Sequence, residues 1–254
     1  MQKTTEETML ENFSTLGNLV TVVLLLTGCV ALVFLLWRTL RRATTEFRVY
    51  RSIWLLFKGQ YDPAIQLIDE LLRGGLLTKT STRVCLYNKA NSQHRQGRIK
   101  DSIATLAEID QAGANTALRA AISGLQGANL LLQELELPSA RQCLEGYHSR
   151  TKFSSGLLSL AHCEFLLGNR SRADALVNSF LQEANRRKRL VFSLGTFLVS
   201  DKAFERCHDN FFLGHHYLRN AESKQAIHHF TEATAAPTSN VYAERAKQLL
   251  ATIA

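Results

Sequence analysis

Eight histidines and five cysteines carry the reactive chemistry open to this 254-residue chain. His208 and His215 are seven residues apart, which places both on one face of a helix, and His228 and His229 fall on the helix that follows. Imidazoles suit zinc or copper when three converge. No HExxH sequence and no acidic motif accompanies them, so they read as polar histidines and no metal is expected. His162 and Cys163 are adjacent, yet neighbours on a helix point about 100° apart, so Cys163 reads as a core thiol rather than a nucleophile. Cys29, Cys85, Cys143, Cys163 and Cys207 are odd in number, widely spaced and without a CxxC pair. That pattern predicts reduced, buried thiols and neither a disulfide scaffold nor a structural zinc site. A GxSxG elbow, a phosphate-binding glycine loop and a dinucleotide fingerprint are all missing. The expectation is a protein that is not an enzyme and holds no cofactor.

The elements that would position these residues are helices. Three prolines interrupt the chain, and leucine and alanine are abundant. A turn recurs between apolar-periodic stretches at Gly59 to Ala64, Gly97 to Ser102, Leu135 to Ala140, Gly168 to Ala173 and Ala221 to Ala226. After the first turn, Ala64, Ile65, Ile68, Leu71 and Leu72 form one helical stripe. Leu106 and Ile109, Leu144 and Tyr147, Val177 and Phe180, and Phe230 and Ala233 follow the other four. A small residue stands twelve positions before each alanine or serine: Ser52, Ala90, Ala128, Ala161 and Gly214. Small side chains there let a paired helix approach closely, and a turn glycine accepts a left-handed cap. The spacing predicts five helical hairpins. Residues 241–254 suit a helix that caps the open end of such a stack.

The pattern resembles the tetratricopeptide repeat, a helix-turn-helix unit of about 34 residues that stacks into a superhelix. Gly59, Tyr61 and Ala64 match its turn, and Leu213, Gly214, Tyr217, Ala226, Phe230, Ala233 and Pro237 match its last copy. The likeness covers roughly residues 45–240. Where the family often has tryptophan early in the first helix, this chain has Arg48, Leu86, Gly124, Leu157 and Asn210. The resemblance implies an all-α solenoid whose first helices line an inner, partner-binding surface. Carried over by pattern, that surface consists of Val49, Ile53 and Leu56, then Tyr87, Asn91 and His94, then Leu125, Asn129 and Leu132. Leu158, His162 and Phe165 follow, and His208, Phe211 and His215 complete it. Asn91 and Asn129 fall at equivalent offsets, where an amide pairs with a peptide backbone. The charged clamp of chaperone-tail-binding members is not evident.

Before the repeats, residues 19–37 carry no charge, and Arg38, Arg41 and Arg42 follow at once. Nineteen helical residues span about 28 Å, near the hydrocarbon thickness of a bilayer. The acidic flank of Glu6, Glu7 and Glu11 against Lys3 is unlike a signal peptide. Leu26 to Cys29 mimics a lipobox, but the apolar run continues past the cysteine. These features predict a single transmembrane helix over 19–37, a short outer tail over 1–18 and a cytoplasmic carboxyl part. The expected location is a bacterial inner membrane, as in the inner-membrane adaptors of this repeat class. Arg38, Arg41 and Arg42 would meet the membrane surface.

Between the fourth and fifth turns lies an irregular insertion, near 186–205. Arg186, Arg187, Lys188 and Arg189 precede an apolar stretch over 190–199, which is too short to span a bilayer. It reads as a further buried helix or as a basic segment against anionic headgroups. The net charge of +8 is partly this cluster and partly the topology signal. A lone four-residue cluster gives no stripe that tracks a phosphate backbone, so no nucleic acid is expected. The functional expectation is a membrane-anchored, non-catalytic scaffold or adaptor that positions protein partners. The alternative is a structural or assembly subunit of a membrane complex, with the transmembrane helix and 190–199 as interfaces. Self-association is compatible with both.

Overall fold

Five chain reversals with the same hydrogen bonds organise the structure. In each, the amide of one residue closes onto a carbonyl five positions back: Gln60 to Leu55, Arg98 to Gln93, Leu135 to Leu130, Asn169 to Glu164 and Glu222 to Tyr217. The preceding residue closes onto the carbonyl three back, at Gly59, Gly97, Glu134, Gly168 and Ala221. This paired closure is the Schellman cap, and it needs a left-handed residue. All five residues have positive φ, 70° at Gly59, 77° at Gly97, 53° at Glu134, 85° at Gly168 and 60° at Ala221. The turns expected from sequence are the turns that form.

A computed structural model describes the backbone of residues 5–151, 155–186, 202–235 and 239–253. Side chains are described over 27–151, 156–183, 203–235 and 239–253. Among the described residues all regular structure is helical: α1 (Thr5–Phe57), α2 (Tyr61–Arg73), α3 (Lys79–Arg95), α4 (Ile99–Ala107), α5 (Thr116–Gln133) and α6 (Leu137–Thr151) come first. Then follow α7 (Ser155–Leu166), α8 (Arg170–Arg186), α9 (Lys202–Arg219), α10 (Ser223–Thr234) and α11 (Val241–Ile253). Each turn joins a hairpin: the end of α1 with α2, α3 with α4, α5 with α6, α7 with α8, and α9 with α10. Side-chain oxygens begin several helices, Thr78 at α3, Asn115 at α5 and Asn240 at α11, by accepting backbone amides of the first turn.

The chain divides into two compact units, 1–47 and 48–254. In the first, the described side chains lie on α1 and most are exposed, including Val33, Phe34, Trp37, Leu40 and Phe47. The Arg41 guanidinium sits 4.9 Å over the Trp37 ring.

The transmembrane helix expected over 19–37 is corrected here. Among the described residues no helix is long and apolar enough to cross a membrane. The side chains before Thr27 lie outside the described residues. The membrane part of the expected architecture goes with it: the single-pass topology, the inner-membrane location, the bilayer and membrane complex as partners, and the anchored form of the tetratricopeptide resemblance. Arg38, Arg41 and Arg42 are exposed residues of α1. Arg187, Lys188, Arg189 and residues 190–199 lie outside the described residues, as do Pro237 and the Arg186 side chain.

In the second unit, hairpin partners touch through the small positions. Ala90 is fully buried, and the Ser102 hydroxyl across from it donates 2.8 Å to the Ala90 carbonyl. Gly214 lies so close to Phe230 that a methyl group on it would meet ring atoms at 2.6 Å. In the third hairpin the close position is Gly127, not the expected Ala128. A methyl group at Gly127 would lie 2.8 Å from Leu144, the counterpart of Phe230 four residues past the alanine. The cause is one extra residue in the third turn. The first closing bond of the second helix runs from Ala64 to Gln60, immediately after Gly59, but from Ala140 to Glu136, two after Glu134. Glu136 takes up the insertion with φ of 46°.

Candidate functional site

Several of the positions expected on the inner surface come together, and the chain's own α11 covers part of them. Asn240 caps α11 and aims its first turn at the α3 to α4 turn, where Val241 lies 3.6 Å from the Cβ position of Gly97. Tyr242 is then almost fully enclosed, with its ring against His94, Phe204, His208, Phe211 and Phe212. One turn later the Arg245 guanidinium donates 2.7 Å to the Leu132 carbonyl at the end of α5.

A chain of hydrogen bonds runs inward from Tyr242. Its hydroxyl lies 3.2 Å from His94 Nε2, and His94 Nδ1 lies 2.7 Å from Asn129 Oδ1. The Asn129 amide donates 2.9 Å to Ser102 Oγ, which donates to the Ala90 carbonyl. An amide oxygen only accepts, so the pattern puts the His94 proton on Nδ1 and leaves Nε2 to accept from Tyr242. His94 and Asn129 are 2 % and 0 % exposed, so every polar atom in this chain depends on the others. Burial lowers the His94 pKa to about 4, with smaller contributions from Arg95, His208 and Arg245, against a rise from the Asn129 bond. Burial pushes the Tyr242 hydroxyl up.

Beyond Tyr242 the surface stays open as a pocket of about 360 Å³ between α5, α7, α9 and α11. Leu132, His162, Phe211 and His215, four of the sequence-predicted positions, line it. Arg245, Gln248, Leu249 and Thr252 of α11 complete one side, and Glu134 is the only carboxylate among its lining residues. The His162 and His215 rings meet edge to face with centroids 4.8 Å apart. Burial lowers the His215 pKa to about 3, assisted by Arg219 and Arg245. His162 is held well below its ordinary value by burial first and by Arg219 second. A cavity of about 20 Å³, room for a single water, lies beside His162, Phe165 and Arg219. Arg219 covers the Phe165 ring at 3.9 Å, and burial brings its pKa down to about 10.

The remaining predicted positions go elsewhere. Val49, Ile53, Leu56, Leu125 and Leu158 are core residues. Tyr87 packs beside the cluster of Leu86, Ile122 and Leu125. Asn91 is half-buried and accepts from Arg95 at 3.2 Å. It is not the structural equivalent of Asn129, because the extra residue in the third turn makes Ser92 the counterpart of Asn129. Both are fully buried. His208 Nε2 lies 2.7 Å from the Ser159 hydroxyl and Nδ1 2.9 Å from Asp209. His229 pairs with Asn210 and stacks on Tyr217. Among the described residues no three His, Cys, Asp or Glu side chains are grouped to hold a metal. Cys163 is buried, its thiol contacting the Leu137 carbonyl, and burial pushes its pKa up to about 11.

Sequence reasoning missed Tyr242, Arg245, Arg219 and Ser102. The stretch 241–254 was expected to be a capping helix, but nothing local signalled partners 113 and 148 residues away. No family model, no curated protein and no solved structure matches the chain.

Proposed function

We propose that the protein is a non-catalytic helical-repeat scaffold that binds a protein partner through its stacked hairpins. The observation that carries this reading is the seating of α11. A helix rests on α3, α5 and α9 through a directed hydrogen-bond chain, an arginine-to-carbonyl bond and aromatic contacts. Helix-in-groove recognition uses the same elements between chains, an apolar anchor with polar groups that set its register. No membrane attachment is part of the proposal.

The test is site-specific photo-crosslinking of the full chain at Gln248, exposed on α11 beside the open pocket, and at Gln142, exposed on α6. Asn129 is unsuitable because it is enclosed by the chain's own residues. The expected result is a distinct polypeptide captured at Gln248 and absent at Gln142, which also co-purifies with the unmodified protein in fixed ratio. Identical products at both positions, or none at either, would count against a partner-binding scaffold.

A further inference from the structure

The open pocket has a chemical bias that the scaffold reading does not use. His162 is nine-tenths buried, and its Nδ1 has no hydrogen-bond partner. Its other ring nitrogen, Nε2, lies 3.5 Å from Arg219 Nη2. A guanidinium only donates, so Nε2 accepts and Nδ1 carries the proton. The result is a buried donor with no acceptor among the described residues. On the α11 side stands Arg245, which spends one N–H on the Leu132 carbonyl and, like Arg219, forms no ion pair with a carboxylate among the described residues. Leu131, Leu132, Phe211, Phe212 and Leu249 provide an apolar wall. The volume, about 360 Å³, lies in the range of roughly 300–1,000 Å³ typical of small-ligand sites.

We infer that this pocket binds a small organic carboxylate with an apolar body, its carboxylate meeting Arg245 and its hydrocarbon lying on Phe211, Phe212 and Leu249. A carboxylate matches the planar guanidinium. The apolar wall excludes a strongly hydrated inorganic anion as the best ligand, since such an ion leaves that surface unused. The rim carboxylate Glu134 opposes the ligand's charge and holds down the affinity of the site.

Calorimetric titration of the full chain with hexanoate, octanoate and 3-phenylpropanoate, each beside the corresponding primary alcohol, tests this. At least one acid is expected to bind ten-fold or more tightly than its alcohol, and tighter than acetate or sulfate. Arg245→Gln should weaken that acid at least ten-fold, whereas Glu134→Gln should tighten it two- to three-fold. The Glu134 variant keeps the test informative if the Arg245 variant unfolds, because an apolar cavity without an anion subsite has no reason to respond to it. Binding should also shift the imidazole resonances of His162 and His215, whose rings line the pocket. Equal affinity for acid and alcohol, no binding across the panel, or indifference to Glu134→Gln would each overturn the inference. None of these outcomes bears on partner capture at Gln248, so the two proposals fail separately.

Discussion

Asn129→Ala separates an internal strut from a ligand-facing amide. Asn129 is fully buried, accepts from His94 Nδ1 at 2.7 Å and donates to Ser102 Oγ at 2.9 Å. Truncation leaves the His94 donor without an acceptor. A tautomer flip would only exchange an orphaned N–H for an orphaned lone pair. One buried unpaired group costs about 1–3 kcal/mol, and the lost Ser102 bond and small void add about 1 kcal/mol. The expected loss is about 3 kcal/mol, or roughly 6–12 °C in Tm for a unit of this size. Asn91→Ala, at a half-buried site with one 3.2 Å bond to Arg95, should cost less than about 1 kcal/mol. Urea unfolding followed by circular dichroism gives both numbers, read as shifts in midpoint at constant slope. If the two asparagines faced a ligand from matching offsets, both variants would keep wild-type stability. A shift below about 0.5 kcal/mol for Asn129→Ala would refute the enclosed-network account.

Three further outcomes follow from the same geometry. Gly214→Ala places a methyl group 2.6 Å from the Phe230 ring and should destabilise by about 1–3 kcal/mol, with Phe230→Leu restoring part of it in the double variant, measured by thermal unfolding. Ala221→Gly relieves a left-handed alanine with φ of 60° and should stabilise the fold by about 1 kcal/mol, read as a higher urea midpoint at unchanged slope. His94 and His215 are held neutral with pKa values of about 4 and 3. Their folded values lie below the unfolded 6.5, so their stability is present above pH 6.5 and is lost as the pH falls towards 4. The loss should reach about 4 kcal/mol between pH 7 and pH 5 for the pair together. A stability curve flat over that interval would contradict the burial of both rings.

Much of the array was legible because its punctuation is local. A Schellman closure needs a left-handed residue, and glycine at 59, 97 and 168 announces it within a few residues of chain. Glu134 and Ala221 take the same conformation without that signal, and their turns were found through the alanines that follow. The third turn shows where pattern reading slips. Counting back from Ala140 gives Ala128, whereas one inserted residue puts Gly127 at the helix contact and Asn129 in the interior. An offset carried across that turn therefore pairs Asn91 with the wrong residue. Of the inner-surface positions, Leu132, His162, Phe211 and His215 line the open pocket and His94 and Asn129 join the buried chain, while what each faces was not readable from sequence. Tyr242 and Arg245 reach His94 and Leu132 across most of the repeat domain. The apolar segment before the repeats invited a membrane reading from composition alone. Among the described residues no helix is long and apolar enough to cross a membrane.

The hydrogen-bond chain through His94 explains why α11 sits in one register. Its aromatic contacts are forgiving: Tyr242 touches four other rings besides His94, at centroid distances of 5.0 to 5.7 Å. Aromatic clusters of this kind tolerate small slides, because each ring finds a comparable neighbour. The polar atoms do not. A slide of one residue would turn the Tyr242 side chain about 100° away from His94, leaving Nε2 without its donor, and would draw Arg245 away from the Leu132 carbonyl. Two buried polar groups would then go unpaired, at about 1–3 kcal/mol each, which exceeds what small differences in ring packing return. Apolar burial holds α11 against the hairpins, and the polar chain selects the seat. The same division carries over to the open pocket, where apolar residues supply the area and Arg245 supplies the selection.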